Sequence, residues 1–448
     1  MTYTQKANEI FEDHGGKEMK RNPKNYQLAL IILASAALFS ISQNALARGF
    51  ALLEQSVTNL GLAYAGTGSL AVDASTGFYN SAGLTRLGQE QLVVGGTLLL
   101  FENKLKVTQA TDTFGHPLNS VPVSTRPKAD VLIPFFHYAH RINECWIFSF
   151  NAAPIFGSRM NYGTKSVARY MNTTSKLQTI DLSPSIAYGF DNGISVGAGI
   201  DAVYAKVNLY QQLGFGNTAT DGSSANQGKD WGYGYHVGLL YEPTDCTRFG
   251  ISFRSKVDLK FKGNSTVQFL APETTQQVRA NITLPESILL SAYHALNEQW
   301  AIMADYQWFH WNRFDKLTLR YANGSQATSF FNYKNSYRVS LGGSYQHTPC
   351  LQFKMGGMYD KTPTQNFNRN IFITDQDYII PAVGVQYRFT QNLALDFAYT
   401  HVFFIKKTPI HQASPTVVGG SQPLSTLNGS IKPHGLEALG LQLTWDIL

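Results

Sequence analysis

The chain is 448 residues long, 44% apolar and 13% aromatic, but only 15% charged, well below the roughly 25% of an average soluble domain. Its formal net charge of +6 is spread without long runs of one sign, which leaves no nucleic-acid footprint. Length alone admits two or three soluble domains or one large all-β unit.

In chain order, Met19-Lys20-Arg21-Asn22-Pro23-Lys24 supplies a positive stretch, residues 28–41 an apolar run, and Ala45-Leu46-Ala47 a small-x-small cleavage site. These features predict a secretory signal peptide over 1–47, with Met19 as an alternative start. The run is shorter than the ~20 residues a spanning helix needs, and no later apolar segment is long enough either, so a helical membrane protein is excluded. The other reading, an uncleaved anchor helix, fits the flanks and length less well.

Residues 48–90 are rich in small residues, among them Gly61, Ala63, Ala65, Gly66, Gly68, Ala82 and Gly83. Such residues permit close packing and tight turns. From Gln91 onward the period is two. Tyr337, Val339, Leu341, Gly343 and Tyr345 alternate with Arg338, Ser340, Gly342, Ser344 and Gln346, and the last strand alternates in the same way from Leu439 to Ile447. Residues 249–259 also alternate, with Phe249, Ile251, Phe253, Val257 and Leu259 against Ser252, Arg254, Lys256 and Asp258.

About fourteen such segments of roughly 10 to 16 residues occur, longer than ordinary globular strands and long enough to cross a membrane at a tilt. Short turns at 141–144, 191–193, 243–247, 296–298, 347–349 and 390–392 alternate with polar loops near 109–127, 158–175, 211–230, 263–282, 321–332, 361–375 and 409–433. This pattern predicts an all-β, 14-stranded antiparallel transmembrane barrel over 91–448, in a Gram-negative-type outer membrane, with short periplasmic turns and long extracellular loops. Tyr241, Trp300, Trp308, Trp311, Tyr359, Tyr387 and Trp445 are expected to form the interfacial girdles. Arg254, Lys256, Asp258, Asp305, Arg338, Lys354 and Asp396 are expected in the lumen, where water solvates charge and lipid cannot. So wide a bore needs filling unless it is an open channel, and 48–90 is the expected plug.

The stretch R-G-F-A-L-L-E-Q-S-V-T-N-L-G-L-A-Y-A-G-T-G-S-L-A-V-D-A-S-T-G-F-Y-N-S-A-G-L-T-R-L at 48–87 resembles the N-terminal hatch of the FadL/TodX-type outer-membrane long-chain fatty acid and hydrocarbon transporters. Further matches are Asp201-Ala202-Val203-Tyr204-Ala205-Lys206, Trp231-Gly232-Tyr233-Gly234-Tyr235, the Phe-Gly-Ile-Ser-Phe-Arg-Ser-Lys-Val run from Phe249, Leu284-Pro285-Glu286-Ser287 and Asp375-Gln376-Asp377-Tyr378. The resemblance covers 48–448 and implies a monomeric plugged barrel for passive uptake of long-chain fatty acids or similar lipophiles. Uptake of aromatic or alkane hydrocarbons, or a plugged barrel acting as a surface adhesin or lipid-binding protein, are the alternatives. Three departures stand out. Ser81 replaces the family's usual proline, which predicts a looser hatch. Residues 211–230 are short and polar where the family has an outer apolar groove, and the chain ends in Leu448 instead of phenylalanine.

The resemblance and the strand pattern together give candidate residues. Lys206 matches a basic position of the family, Tyr204 precedes it by two, and Lys334 and Arg338 lie on a polar face, so these are expected to meet a ligand carboxylate while buried CH₂ groups at about 0.8 kcal/mol each supply affinity. The other reading is that these cations pair with lumenal carboxylates. Phe50 and Leu53 of the hatch are expected to line the pocket or pack the plug. Asn80, Ser81, Ala82 and Gly83 form the hatch turn, and Phe156-Gly157, after Pro154, predicts a bulge or kink in the third strand, or simply its end. Gly193-Ile194-Ser195-Val196-Gly197 spells G-x-S-x-G but opens a strand and not a nucleophile elbow. No catalytic constellation, metal motif or cofactor motif is present in the sequence, so no enzyme is expected. Cys145, Cys246 and Cys350 fall at separate short turns, leaving a free thiol or an unusual bridge.

Overall fold

The computed structural model describes residues 50–101, 104–373, 375–405, 408–414, 416–417, 425–432 and 435–447. The expected signal peptide and Leu448 lie outside the described residues. Fourteen wall strands follow one another: β1 (Glu90–Phe101), β2 (Val131–Arg141), β3 (Trp146–Ala153 and Gly157–Asn161), β4 (Thr174–Gly189), β5 (Ile194–Leu213) and β6 (Gly222–Thr244). Then come β7 (Thr247–Arg254 and Val257–Gln268), β8 (Thr274–Leu284 and Ser287–Ala295), β9 (Trp300–Phe309 and Lys316–Tyr321) and β10 (Gln326–Phe330 and Ser336–Thr348). The last are β11 (Leu351–Asp360), β12 (Tyr378–Thr390), β13 (Leu393–Phe404) and β14 (Leu436–Ile447).

Every neighbouring pair is antiparallel, and β1 closes on β14 in continuous register from Glu90↔Ile447 to Phe101↔Leu436. Closure removes the sheet edge, so each wall strand finds hydrogen-bond partners within the protein, as hydrocarbon demands. Above the long-loop end, a four-stranded cap sheet joins Lys104–Ala110, Val123–Thr125, Thr408–Ala413 and Thr426–Lys432.

The burial pattern is the reverse of a soluble domain's. Along β10, Ser336, Arg338 and Ser340 are buried while Tyr337, Val339 and Leu341 are exposed, Leu341 by 64%. Val196, Ile251, Leu290, Ile302, Met355, Val383 and Leu441 continue this exposed apolar band around the wall. So large a patch on a soluble surface would be an aggregation face; around a closed barrel it is the lipid contact. No helix among the described residues is long and apolar enough to cross a membrane.

Residues 50–89 run inside the wall. Two short helices, α1 (Val57–Leu60) and α2 (Thr76–Tyr79), and a 3₁₀ turn over Ser81–Arg86 are almost entirely buried. The wall meets them with glycines. A Cβ on Gly250 would lie 2.0 Å from the Gly68 carbonyl oxygen, and one on Gly356 would lie 2.1 Å from the Leu62 carbonyl oxygen. Only hydrogen fits where the two backbones touch.

Three expectations about the wall need correction. The sequence alternates straight through 249–259, but the strand breaks at Ser255-Lys256, so Phe249 and Ile251 face lipid while Val257 and Leu259 face inward. Lys256 and Asp258 are thereby turned outside, where they pair at 2.8 Å. Trp311 does not belong to a girdle: it is fully buried inside, whereas Tyr241, Trp300 and Tyr387 are exposed on the outer face. Finally, 211–230 and 263–282 are mostly strand, because β5 and β6 remain paired up to Leu213↔Gly222, and the second halves of β7 and β8 pair up to Val267↔Thr274.

The lipid assignment yields a direct test. Leu341→Lys, harmless on a soluble surface, is expected to destabilise the barrel in bilayers by about 2–4 kcal/mol at mid-depth, measured by reversible denaturant unfolding in vesicles. A change near zero would contradict it.

Candidate functional site

Among the described residues, two neighbouring cavities lie along the lumen. The upper one, about 200 Å³, is lined mainly by apolar groups including Phe50, Met171, Leu177, Val207, Leu317 and Phe372. The lower one, about 70 Å³, is bounded by Leu53, Phe78, Tyr79, Phe156, Arg254 and Arg338. Between them is a group of rings. Phe50 packs edge-on against Phe156 at 5.8 Å, Trp311 at 4.8 Å and Phe314 at 5.3 Å. Phe50 faces the upper cavity and Phe156 the lower one, so the two rings stand where the cavities adjoin.

Asp201, Arg254 and Arg338 border the lower cavity, and Lys176 is the charged residue among those bordering the upper one. Arg254 ends the first half of β7 on its inward face, donating from Nη1 to Asp181 at 2.8 Å and Asp201 at 2.6 Å, and from Nη2 to the Phe78 carbonyl at 2.9 Å. Its guanidinium also lies over the Phe78 ring at 4.5 Å. Asp201 is shared with the His236 ring at 2.9 Å. Arg338, inward on β10 and 1% exposed, places its guanidinium 5.6 Å from the Tyr64 ring. Low-dielectric surroundings make such charged contacts stronger and their loss more costly.

The plug hangs from the wall by polar bonds. Asp305 on β9 accepts the Gly66 N–H at 2.8 Å, the Thr67 N–H at 2.9 Å, the Thr67 hydroxyl, and the Ser291 hydroxyl at 2.5 Å. Gln442 on β14 accepts from the Val57 N–H at 2.8 Å and donates to Thr58 at 3.1 Å and Asp73 at 3.0 Å. The His137 ring meets the Gln55 carbonyl at 2.8 Å.

The third strand bends where Pro154 and Phe156-Gly157 predict. Ala153 pairs with Asp181 and Gly157 with Gln178, so one residue is in excess on β3, which is a bulge. The displaced segment turns inward and binds the plug: Leu52 N–H donates to the Ile155 carbonyl at 2.9 Å and Gly157 N–H to the Phe50 carbonyl at 2.7 Å. On its other side the wall is unzipped. β2 pairs with β3 only over Phe136–Arg141, and Val131 to Phe135 lie beyond the end of that ladder. The result is a lateral seam, bridged above by Lys128 and Asn161.

The candidate residues divide. Phe50, Leu53, Phe156 and Arg338 are brought to the cavities. Asn80, Ser81, Ala82 and Gly83 are buried in the plug turn, where Asn80 Nδ2 donates to the Gly68 carbonyl at 2.7 Å and the Leu239 carbonyl at 3.1 Å. Asn80 is extended and Ser81 opens the 3₁₀ turn, a backbone geometry that suits proline. Lys206 and Tyr204 require correction. They alternate with buried Val203 and Ala205 and point out of the barrel. Lys334 is also misplaced: it is exposed in a connecting segment, its N–H donating to the Pro363 carbonyl at 2.9 Å, and it lines neither cavity. Arg254, Trp311 and Phe314 were missed as site residues. The first had a readable cue in its inward position beside a strand break; the two rings, in an irregular stretch between strand halves, had none. Cys145, Cys246 and Cys350 are free thiols.

A sequence profile of the outer membrane protein transport protein family (OMPP1/FadL/TodX) matches residues 38–436. The chain belongs to this family. It is similar to outer membrane protein P1 of Haemophilus influenzae, 27% identical with 93% of this chain and 98% of that protein covered. It is also similar to the long-chain fatty acid transport protein of Escherichia coli O6:H1, 28% identical over 84% of this chain and 91% of that one. A crystal structure of a Pseudomonas aeruginosa FadL homologue superposes with TM-score 0.79 at 20% identity, covering 89% of this chain and 99% of that one. The toluene transporter TodX of Pseudomonas putida superposes at 0.67 and 16% identity, covering 89% of this chain and 100% of that one. At those identities the two structures show the fold. The chain is an outer-membrane transport barrel and not an enzyme.

Asp305→Asn is expected to loosen the plug, since charge-assisted hydrogen bonds of about 1.5–3 kcal/mol each are weakened. Ion conductance of the reconstituted channel, measured in planar bilayers, then rises; conductance equal to the parent's would show that Asp305 does not seat the plug.

Proposed function

We propose that the barrel takes up long-chain fatty acids passively, the tail in the upper cavity and the carboxylate toward Arg254 and Arg338. One observation carries this reading: an apolar cavity adjoins, across a ring cluster, a second cavity bounded by two guanidiniums. An amphipathic acid has that same order of parts, its CH₂ groups giving affinity and its head giving orientation. A hydrophobic cargo agrees with the names of two relatives, a long-chain fatty acid transport protein and a toluene transporter.

The ring cluster then acts as a gate. Phe50 belongs to the plug and Phe156 to the inturned wall segment, so the contact between them is broken when either moves. Release sideways through the seam beside β3 is part of the proposal, because the plug and the seam share the hydrogen bonds of Leu52 and Gly157. A hydrocarbon cargo is favoured by the engagement of both guanidiniums: Arg254 is held by Asp181 and Asp201, and Arg338 is not free either, with buried Asp360 opposite it in the ladder.

The two cargoes are separated by Arg338→Leu in cells lacking their own transporter, given labelled fatty acid or an alkane of equal chain length. Acid uptake is expected to fall roughly ten-fold or more, the equivalent of a lost charged hydrogen bond, with alkane uptake unchanged. Equal effects on both would favour the hydrocarbon reading. Mass spectrometry of lipid extracted from the purified barrel gives the complementary result, and absence of any acyl or hydrocarbon species there, with no uptake, would defeat both.

A further inference from the structure

Lys206, removed from the lumen by its orientation, belongs to a different arrangement. The sheet register sets Lys206 opposite Lys229, Lys229 opposite Lys262, Lys262 opposite Arg279, and Arg279 opposite Arg320. Five cations thus stand in one unbroken cross-strand row over β5 to β9. All five are exposed, and their sequence neighbours Ala205, Phe261, Val278 and Ala280 are buried on the inward face, so the row points out of the barrel. Four strand spacings of ~4.8 Å give it a length of about 19 Å.

Like charges directly opposite one another destabilise a sheet, and repetition over five strands compounds the effect. The ion pairs among the described residues lie elsewhere, the closest along the strands being Lys256 with Asp258. The row therefore calls for anions from outside the protein. Its setting says which kind. One outward position toward the membrane, Tyr204 and Trp231 pack with ring centroids 5.2 Å apart, an interfacial pair of the sort that sits at headgroup level. One outward position away from the membrane, Asn208, Gln227, Asn264 and Gln277 form a parallel row of amides by the same register. On β5 and β6, rings, cations and amides are thus stacked in the order of acyl boundary, phosphate and sugar, while β7 and β8 carry exposed Lys260 and Asn281 at the level of the rings.

We propose that this row is a docking site for the phosphates of a phosphorylated glycolipid in the outer leaflet, with the amides above it meeting sugar hydroxyls. Lysines supply point charge and the two arginines supply planar forks suited to phosphate oxygens. The site is separate from the lumen and independent of the transported cargo.

The test uses the full chain purified in non-ionic detergent and titrated with a bis-phosphorylated glucosamine-disaccharide lipid, read by native mass spectrometry. Saturable binding is expected, weakened by salt. In the variant carrying Lys206→Gln, Lys229→Gln, Lys262→Gln, Arg279→Gln and Arg320→Gln it is expected to fall at least about ten-fold, while uptake of hydrophobic cargo stays at the parent level. Equal lipid binding by parent and variant would overturn the proposal, as would equal binding of the dephosphorylated lipid. Inorganic phosphate competing as well as the lipid would also overturn it, by marking a free-anion site. Should the fivefold variant fail to fold, the pair Lys206→Gln and Lys229→Gln is measured instead, with partial loss expected and parent-level binding counting against the row.

Discussion

Hydrocarbon offers no partner to a backbone N–H or C=O, and everything else in this molecule follows from how the chain meets that demand. β1 must find β14, and the continuous Glu90↔Ile447 to Phe101↔Leu436 ladder is how it does so. A ring of fourteen strands is then wider than side chains can fill. The bore has to take in a piece of backbone, and backbone against backbone leaves no space for a Cβ. Gly250 against Gly68 and Gly356 against Leu62 are the consequence.

The plug packs apolar side chains such as Leu60, Leu62 and Leu84 against the wall, and the same demand adds polar bonds that fix its register. Its own orphan N–H groups at 57, 66 and 67 are satisfied by Gln442 and Asp305, side chains of the wall. The neutral bond to Gln442 has a net worth of only about 0.5–1.5 kcal/mol, and the charge-assisted bonds to Asp305 about 1.5–3 kcal/mol each. At β3 the wall itself gives up its ladder and exchanges two backbone hydrogen bonds with the plug, besides the bond from Gln55 to the Pro154 carbonyl, which ties the seam in the wall to the position of Phe50. Arg254 makes a second link, because one guanidinium holds both wall carboxylates and the Phe78 carbonyl of the plug.

Much of this was legible from periodicity. The strand number, the short turns, the enclosed position of the segment before Gln91 and the kink near Phe156 all follow from alternation, glycine and proline. Faces were harder. A period of two says that Lys206 and Ala205 point oppositely, yet not which of them sees the lumen. That is settled by Val203, Ala205 and their partners across β4 and β6. At Ser255-Lys256 the alternation passes through a break that reverses the faces, so Arg254 stays inside while Lys256 and Asp258 go out. Trp311 read as a girdle residue because its neighbours do. Only the irregular stretch between the halves of β9 turns it inward against Phe50. The cation row was invisible for a different reason: its members are far apart in sequence, and register alone brings them together.

Under the proposed function the two cavities form one oriented path, tail side above Phe50 and head side at Arg254 and Arg338. Crystals of the barrel grown with a fatty acid brominated at its ω end test this directly through anomalous scattering. Bromine in the upper cavity, with carboxylate density within hydrogen-bond distance of Arg338 or Arg254, is the predicted result. Bromine in the lower cavity, or ligand bound only outside the wall, would contradict the account.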